Sequence, residues 1–412
     1  MSLYASTLLT RSPTALLSQL SRLSKTYKDN SSIFALSCNI DAPNLSSLVH
    51  ELTNFSSETA GCLSAPLPGN GREDMISCSV AVFDKCQATM FRSTIPGREA
   101  PQVGRWHSFR RKVEVPHQSP EVDASGNVDW NGLWDRYGSS SGLPIELQHL
   151  KTREVDLIVY FSDPSHEGLS NNLDTFSNAT KLGLISASTP FVTGRPVTLF
   201  HNQSVYSSGA VGVALSGVLR SKAQVDFTGL TPLSKPLTVT AVEGNIINEL
   251  NGSSPTQLLL SVIEANDLKS KLVSTLKEEV FYCGVLSDGQ ISQVYAVTAG
   301  DPSRGNLSLA CSKGPSLNAT VQFFHKSGAK PVDILQRSKT SSLPSGLSFI
   351  ASEESTGAVA HSGSSLPGQD EVQRLENTFV AASENGFVLS RREEAPWLCA
   401  VPGSVASLEW SS

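Results

Sequence analysis

The sequence predicts a mixed α+β (α/β) fold, with two βαβ-like repeats in the N-terminal half and a hairpin-rich mixed sheet with flanking helices in the C-terminal half. Three observations carry that prediction. A pattern of strand, turn, helix, glycine and strand begins at Ile33 and begins again at Leu157. After Lys222 it gives way to short strands punctuated by Gly-Asn and Asn-Gly turns. A chain of 412 residues also exceeds what one small core organises, so two domains are expected, 1–222 and 223–412.

Composition narrows the class. Hydrophobic residues make up 39% and charged residues 17%, the proportions of a soluble globular protein. A net charge of −6 gives no electrostatic ground for a nucleic-acid partner. No apolar run reaches the length of a membrane span. Cys38, Cys62, Cys78, Cys86, Cys283, Cys311 and Cys399 are scattered and include no CxxC pair. They read as small buried hydrophobes in a reducing compartment, with no metal site and no cofactor. The cytoplasm, with the nucleus as a variant, is the expected location.

From the N-terminus, Ser12-Pro13 supplies a cap and a proline at the first helical position, and Leu16, Leu17, Leu20 and Leu23 share one stripe. The same stretch carries Arg11, Arg22, Lys25 and Lys28 with no acid before Asp29. That composition also suits a mitochondrial transit peptide, the alternative to a domain-opening helix. The two copies follow, at 33–83 and 157–217. Each has an apolar strand ending in serine (Ser37, Ser162), turn residues, and a helix-period segment (Leu45, Leu48, Val49, Leu52; Leu169, Leu173, Phe176). Each then reaches a glycine and a matching strand, Gly61-CLSA and Gly183-LISA, and closes with a further strand. The glycines read as close packing points, because no GxGxxG or GxxxxGK[ST] follows either strand.

An irregular excursion, 92–150, separates the copies. Its basic part holds Trp106, Arg110 and Arg111, and its acidic part Trp130 and Trp134. It reads either as a surface segment pinned by its aromatics or as a lid or protein-docking segment built on those five residues. In the second half, PLTVTAV and IINEL flank Gly244-Asn245 as a hairpin. SPTQLLLSVIEANDL opens a helix that KSKLVSTLKEEV extends, and EVQRLENTFVAA reads as an amphipathic helix. Strands are expected between and after them.

The order SSGAVGVALSG, then TGLTPLSKPLTVTAVEGNIINELNGSSPTQLL, resembles the FIST family, whose N-terminal and C-terminal domains usually occur together. Gly209, Gly212, Gly217, the two Pro-Leu pairs, Val239-Thr240, Glu243-Gly244-Asn245, Glu249-Leu250 and Gly252 carry the resemblance. FSD at 161–163 and GLISAS at 183–188 extend it upstream, and Asn385-Gly386-Phe387 resembles the family's late Gly-Phe turn, although the expected Gly-Glu-Ile does not follow. The resemblance implies an intracellular sensory module that binds a small ligand. Bacterial relatives carry signalling domains beside it, and some eukaryotic ones an F-box before it. This chain reads as a eukaryotic stand-alone member without an F-box, whose output passes through a separate, unidentified protein partner.

The search for chemistry yields no GxSxG, HExxH or Cys-His signature and no catalytic residue. Small-ligand candidates cluster where strands end and helices begin. Ser162, Asp163 and His166 follow the Leu157 strand, with helix capping as their structural alternative. Ser186, Ser188 and Thr189 offer hydroxyls before Pro190. A protein-recognition scaffold is the second reading of function. A hydrolase built on Ser162, His166 and a distant acid is the third.

Overall fold

The computed structural model describes residues 2–69, 74–95, 142–217, 222–266, 281–301, 303–311, 313–326, 346–353 and 372–409. Strand β1 (Ser2–Thr10) precedes α1 (Pro13–Tyr27), whose first turn is capped by Ser12 Oγ accepting from Ala15 N. Then come β2 (Ser31–Ser37), α2 (Ala42–Thr53), β3 (Glu58–Ser64) and β4 (Ile76–Phe83). Next are β5 (Ala88–Ser93), β6 (Val155–Ser162), α3 (Glu167–Asn172) and β7 (Thr180–Ile185). A short α4 (Pro190–Thr193) leads to the hairpin β8 (Leu199–His201) and β9 (Ser204–Tyr206), then β10 (Ala210–Ser216) and β11 (Lys222–Asp226).

A region of antiparallel strands follows. It holds β12 (Leu230–Pro232), β13 (Leu237–Glu243), β14 (Ile246–Leu250), α5 (Pro255–Ala265), β15 (Phe281–Ser287), β16 (Gln290–Gly300), β17 (Leu307–Leu309) and β18 (Thr320–Lys326). The chain ends with β19 (Gly346–Ala351), β20 (Gln373–Glu376), β21 (Thr378–Ser383), β22 (Phe387–Ser390), β23 (Trp397–Cys399) and β24 (Val405–Glu409).

Three sheets share one strand order: β1-β4-β2-β3, β5-β10-β6-β7 and β11-β24-β19-β21. In each, the last two strands run parallel and the second is an antiparallel return strand. The third set is drawn from strands on both sides of 230–326. Two hairpins cross between sheets. After β7 the chain forms β8–β9 against β3, and after β21 it forms β22–β23 against β7. After β3 the crossing shrinks to one bridge, Ala65 to Ala382 of β21.

Layering follows from which faces are apolar. Leu16 and Leu20 of α1 and Leu45, Leu48 and Leu52 of α2 cover the outer face of the first sheet. Leu169 of α3, with Leu173 and Phe176, covers the second. The inner faces of all three sheets meet in one core, where Phe161 lies 6.0 Å from Phe349 and 6.4 Å from Phe379 between ring centres. Strands covered on both faces need no polar alternation, and β2, β4, β19 and β21 are buried throughout.

The two glycines read as packing points are occupied from the neighbouring strand. Gly61 stands opposite Phe34, and Gly183 opposite Tyr160. A Cβ on Gly183 would sit 2.2 Å from the Tyr160 ring, and one on Gly61 2.6 Å from Phe34. Gly183→Ala is therefore expected to cost about 1–3 kcal/mol, the range for overfilling a packed core, and urea unfolding measures it. A cost below ~0.5 kcal/mol would mean that the Tyr160 ring moves aside freely.

Strands β13, β14, β17, β16, β15 and β18 close on themselves, because β18 pairs with β13 on one side and β15 on the other. Buried Leu259 and Ile263 of α5 join this ring's core with Val239, Ile247, Tyr282, Val294 and Phe323. The Glu243–Ile246 hairpin turns through Gly244 at φ +57°, as its Gly-Asn bend predicts. The segment EVQRLENTFVAA, expected as a helix, instead contributes strand β20 and most of β21. The buried run of β21 carries no period-2 signal, and Leu375 and Phe379 happen to fall at helical spacing. The helical extension KSKLVSTLKEEV lies outside the described residues. So do Trp106, Arg110, Arg111, Trp130 and Trp134.

Candidate functional site

The carboxyl ends of the three parallel pairs converge. Ser64 ends β3 opposite Ser37, Ser383 ends β21 opposite Ala351, and Asp163 and Ser186 directly follow the pair Ser162–Ile185. The chain leaving each strand bonds to the next sheet. Ala65 N donates to Ala382 O at 2.8 Å, Ala187 N to Leu63 O at 3.3 Å, and Ile185 N to Gly386 O at 3.1 Å. Ala65, Ala187 and Ala382 sit in one buried cluster beneath this junction.

The six sequence candidates fall in different parts of it. Ser162 and Ser186 are joined through the backbone, Ser186 N donating to Ser162 O at 2.7 Å. The Ser162 hydroxyl donates to Asp163 O at 2.9 Å. Asp163 is fully buried. Its Oδ1 accepts from Ser165 N at 2.8 Å and its Oδ2 from Gly209 N, so the carboxylate fastens the turn before β10 and is not a helix cap. Arg92 holds the same turn from the other side, donating to Ser208 O and Ala210 O with its guanidinium over the Tyr206 ring.

His166 occupies the N-cap position of α3 without a side-chain cap bond. Its Nδ1 lies 3.1 Å from Ser170 Oγ, which donates to His166 O and meets Tyr160 OH at 3.2 Å. Burial holds the imidazole's pKa down at about 4. Thr189 is buried in a threonine cluster, bonded to Thr198 Oγ1 at 2.8 Å and to Arg195 O. Ser188 is exposed, and its backbone N–H donates to Glu384 at 2.6 Å.

Glu384 and Asn385 complete the junction; the sequence does not mark Glu384, and marks Asn385 only within the late Gly-Phe turn. Glu384 is half-buried, and its Oε1 accepts from Ser188 N and Asn385 Nδ2. Its Oε2 meets no hydrogen-bond donor among the described residues. Asn385 Nδ2 also donates to Ser186 O at 2.9 Å, and its N–H donates to Ser383 Oγ. The Ser186 hydroxyl is fully buried beside the Cys62 thiol but meets no partner of hydrogen-bonding geometry, and the Ser352 hydroxyl is likewise unpartnered. Burial, aided by the Glu384 charge, pushes the nearby Cys38 thiol up to about 11, so it stays protonated at neutral pH. The sequence signal that could have pointed here is Ser-Glu-Asn-Gly, a turn placing an acid beside a helix-incompatible glycine. Gly386 adopts φ +82°, and a Cβ there would lie 2.1 Å from Cys399 O.

The junction is thus a polar floor with one unengaged carboxylate oxygen and unsatisfied hydroxyls. Its half-buried carboxylate can accept from a cationic or amide N–H group, whereas the enclosed Ser186 and Ser352 hydroxyls would have to be uncovered to bond a second polar group. No three His, Cys, Asp or Glu side chains gather closely enough to hold a metal ion among the described residues.

A cleft of about 590 Å³ lies elsewhere, lined by residues including Lys28, Asp29, Asn54, Ser56, Asn202 and Gln203. It sits at the amino ends of β2 and β3, the end that open α/β sheets do not ordinarily use for ligands. Its polar atoms largely bond one another: Gln203 Nε2 to Asn54 Oδ1, Ser57 Oγ to Asn30 O, and Ser56 Oγ to Ser32 Oγ. The strand-end junction, with its unsatisfied groups, is the better candidate.

Comparison with known proteins adds a family. A sequence model of the FIST N domain matches residues 32–253. Two proteins named as uncharacterized, from Mycobacterium bovis and Mycobacterium tuberculosis, are each 27% identical over 132 residues, 30% of this chain. The match spans 32% of the length of each of those relatives.

Proposed function

The chain belongs to the FIST family through its N domain, residues 32–253, and on that premise we propose that it is a non-enzymatic sensory protein that binds a small ligand at the strand-end junction and signals through a separate protein partner. The observation that carries this reading is the half-buried carboxylate of Glu384, held by Ser188 N and Asn385 Nδ2 where the parallel pairs end, with the unpartnered hydroxyls of Ser186 and Ser352 buried at the same junction. A half-buried carboxylate oxygen beside hydroxyls suits a ligand with an ammonium or amide group and a second polar function, as in an amino acid or similar metabolite. Ser162 and His166 spend their bonds on Asp163 O and Ser170, which speaks against pairing them as nucleophile and base.

The part of the chain expected as a second domain, 223–412, is read beyond the N-domain match, from residue 254, as the family's C-terminal domain. No described helix is long and apolar enough to cross a membrane. The acidic balance disfavours a nucleic-acid partner, and the seven free thiols fit a reducing, cytoplasmic or nuclear setting.

A thermal-shift screen of the common amino acids and small amines tests the reading. A compound at a hundredfold over its Kd should stabilise the chain by about 2.7 kcal/mol. Glu384→Gln and Ser186→Ala should each abolish that shift while leaving the unliganded protein folded. A shift that survives both substitutions, or a screen in which nothing shifts, sinks the proposal.

A further inference from the structure

We propose that the β22–β23 hairpin is a conformational coupler between the strand-end junction and the closed ring of β13–β18. It depends on the ligand reading above only for its natural trigger. The hairpin's root is the candidate site itself, since Glu384 and Asn385, bonded to Ser188 and Ser186, lead directly into β22. Along its length β22 pairs with Lys181–Leu184 of β7, the strand that runs into Ser186. Its far turn reaches another body of the protein. Glu394, paired with Arg391 at 3.0 Å, accepts from Gln293 Nε2 of β16 at 2.7 Å, and Gln293 Oε1 accepts from Tyr295 OH at 2.8 Å. Trp397 of β23 packs edge-on against Tyr295, ring centres 6.4 Å apart, and lies 6.3 Å from Phe227 just before the ring.

The other crossings supply an internal contrast. The turn of β8–β9 holds only the sheet that its strands already join, with Asn202 Oδ1 accepting from Thr59 N and Gln203 donating to Asn54. The crossing after β3 is a single bridge. Of the three crossings only β22–β23 begins at a half-buried acid and ends on the ring; Lys326 of β18 also reaches Glu353, just after β19, but through an exposed carboxylate. A displacement of Glu384 that shifts β22 along β7 must move the Arg391–Glu394 turn, which is bonded to β16. The hairpin therefore supplies the two-ended contact that coupling between sites requires.

Hydrogen exchange on the full-length protein tests this without any ligand. Asn385→Ala should raise the exchange rate of β16 amides, residues 290–300, about tenfold. In a Gln293→Ala background the same substitution should add nothing further at β16, because the connection is already cut. Glu384→Gln, a milder change, should reproduce the effect in a smaller measure if Asn385→Ala proves too unstable. Gln203→Ala, at the β8–β9 turn, should leave β16 unchanged. The proposal is overturned if Asn385→Ala and Glu384→Gln alter only peptides near Ser186, if the Asn385 and Gln293 effects simply multiply, or if Gln203→Ala loosens β16 equally. A failed ligand screen leaves this measurement standing, and a failed exchange measurement leaves the ligand screen standing.

Discussion

Asp163→Ala is expected to destabilise the protein by about 2–5 kcal/mol, the cost of leaving two buried backbone N–H groups without their acceptor. Asp163 is fully buried, and its two oxygens accept backbone N–H groups from Ser165 and Gly209. Both donors would lose their partner, and water has little access to replace it. Arg92 would suffer as well. Burial already lowers its pKa, and the nearby charges that oppose this effect include Tyr206, Asp163 and Glu146. The turn between them has no slack, since a Cβ on Gly209 would lie 2.3 Å from both Arg92 Nη1 and Ser93 O. Asp163→Asn keeps one acceptor but aims an amide N–H₂ at another donor, so about half the loss is expected. Urea midpoints of wild type, Asp163→Ala, Arg92→Met and the double variant close the cycle, and the double variant should cost clearly less than the sum. An Asp163→Ala protein within ~1 kcal/mol of wild type would show that the carboxylate does not hold this turn. The consequence for function is direct. Loss of ligand response in an Asp163 variant reports on folding, so Glu384 is the informative position.

What could be read from the sequence was what short-range chemistry determines. Helix α1 was legible because its cap, its proline and its leucine stripe lie within a dozen residues. The Glu243–Ile246 hairpin was legible because Gly244-Asn245 can do little else between two apolar runs. Strand β1 escaped, because it is built from small and hydroxyl side chains whose partners are remote. Thr7 Oγ1 bonds Ser79 Oγ at 2.8 Å and Thr378 O at 2.9 Å. Strand β21 was misread for the opposite reason, since a strand buried on both faces loses the alternation that would mark it. Glu384 gains its place only when β22 pairs with β7, some two hundred residues upstream. The closed ring likewise depends on β15 finding β18 and β14 finding β17, which no local pattern encodes. Ser162 and Asp163 were correctly placed at a strand end, but their side chains proved to be bonded to the fold rather than open to a ligand.

His166 supplies the second large effect, and its sign follows from burial. The folded pKa stands at about 4 against 6.5 for an unperturbed imidazole, because the ring is taken out of water. Below pH 6.5 the unfolded chain binds a proton that the folded chain refuses. Stability from this group is therefore complete above about pH 6.5 and is lost as pH falls towards 4, amounting to about 3 kcal/mol across the window. About 2 kcal/mol of it should disappear between pH 7 and pH 5. His201 is shifted down by burial too and adds a slope of the same sign. The contribution of His166 is thus the difference between wild type and His166→Asn, a variant that keeps a polar group near Ser170 but cannot take up a proton. Denaturant unfolding at half-unit steps from pH 7.5 to 5 should give a shallower decline for His166→Asn, with the two curves converging towards acid pH. Parallel curves, or a His166 proton resonance titrating near 6.5 in the folded protein, would contradict the burial argument and return His166 to the solvent-exposed side of the strand-end junction.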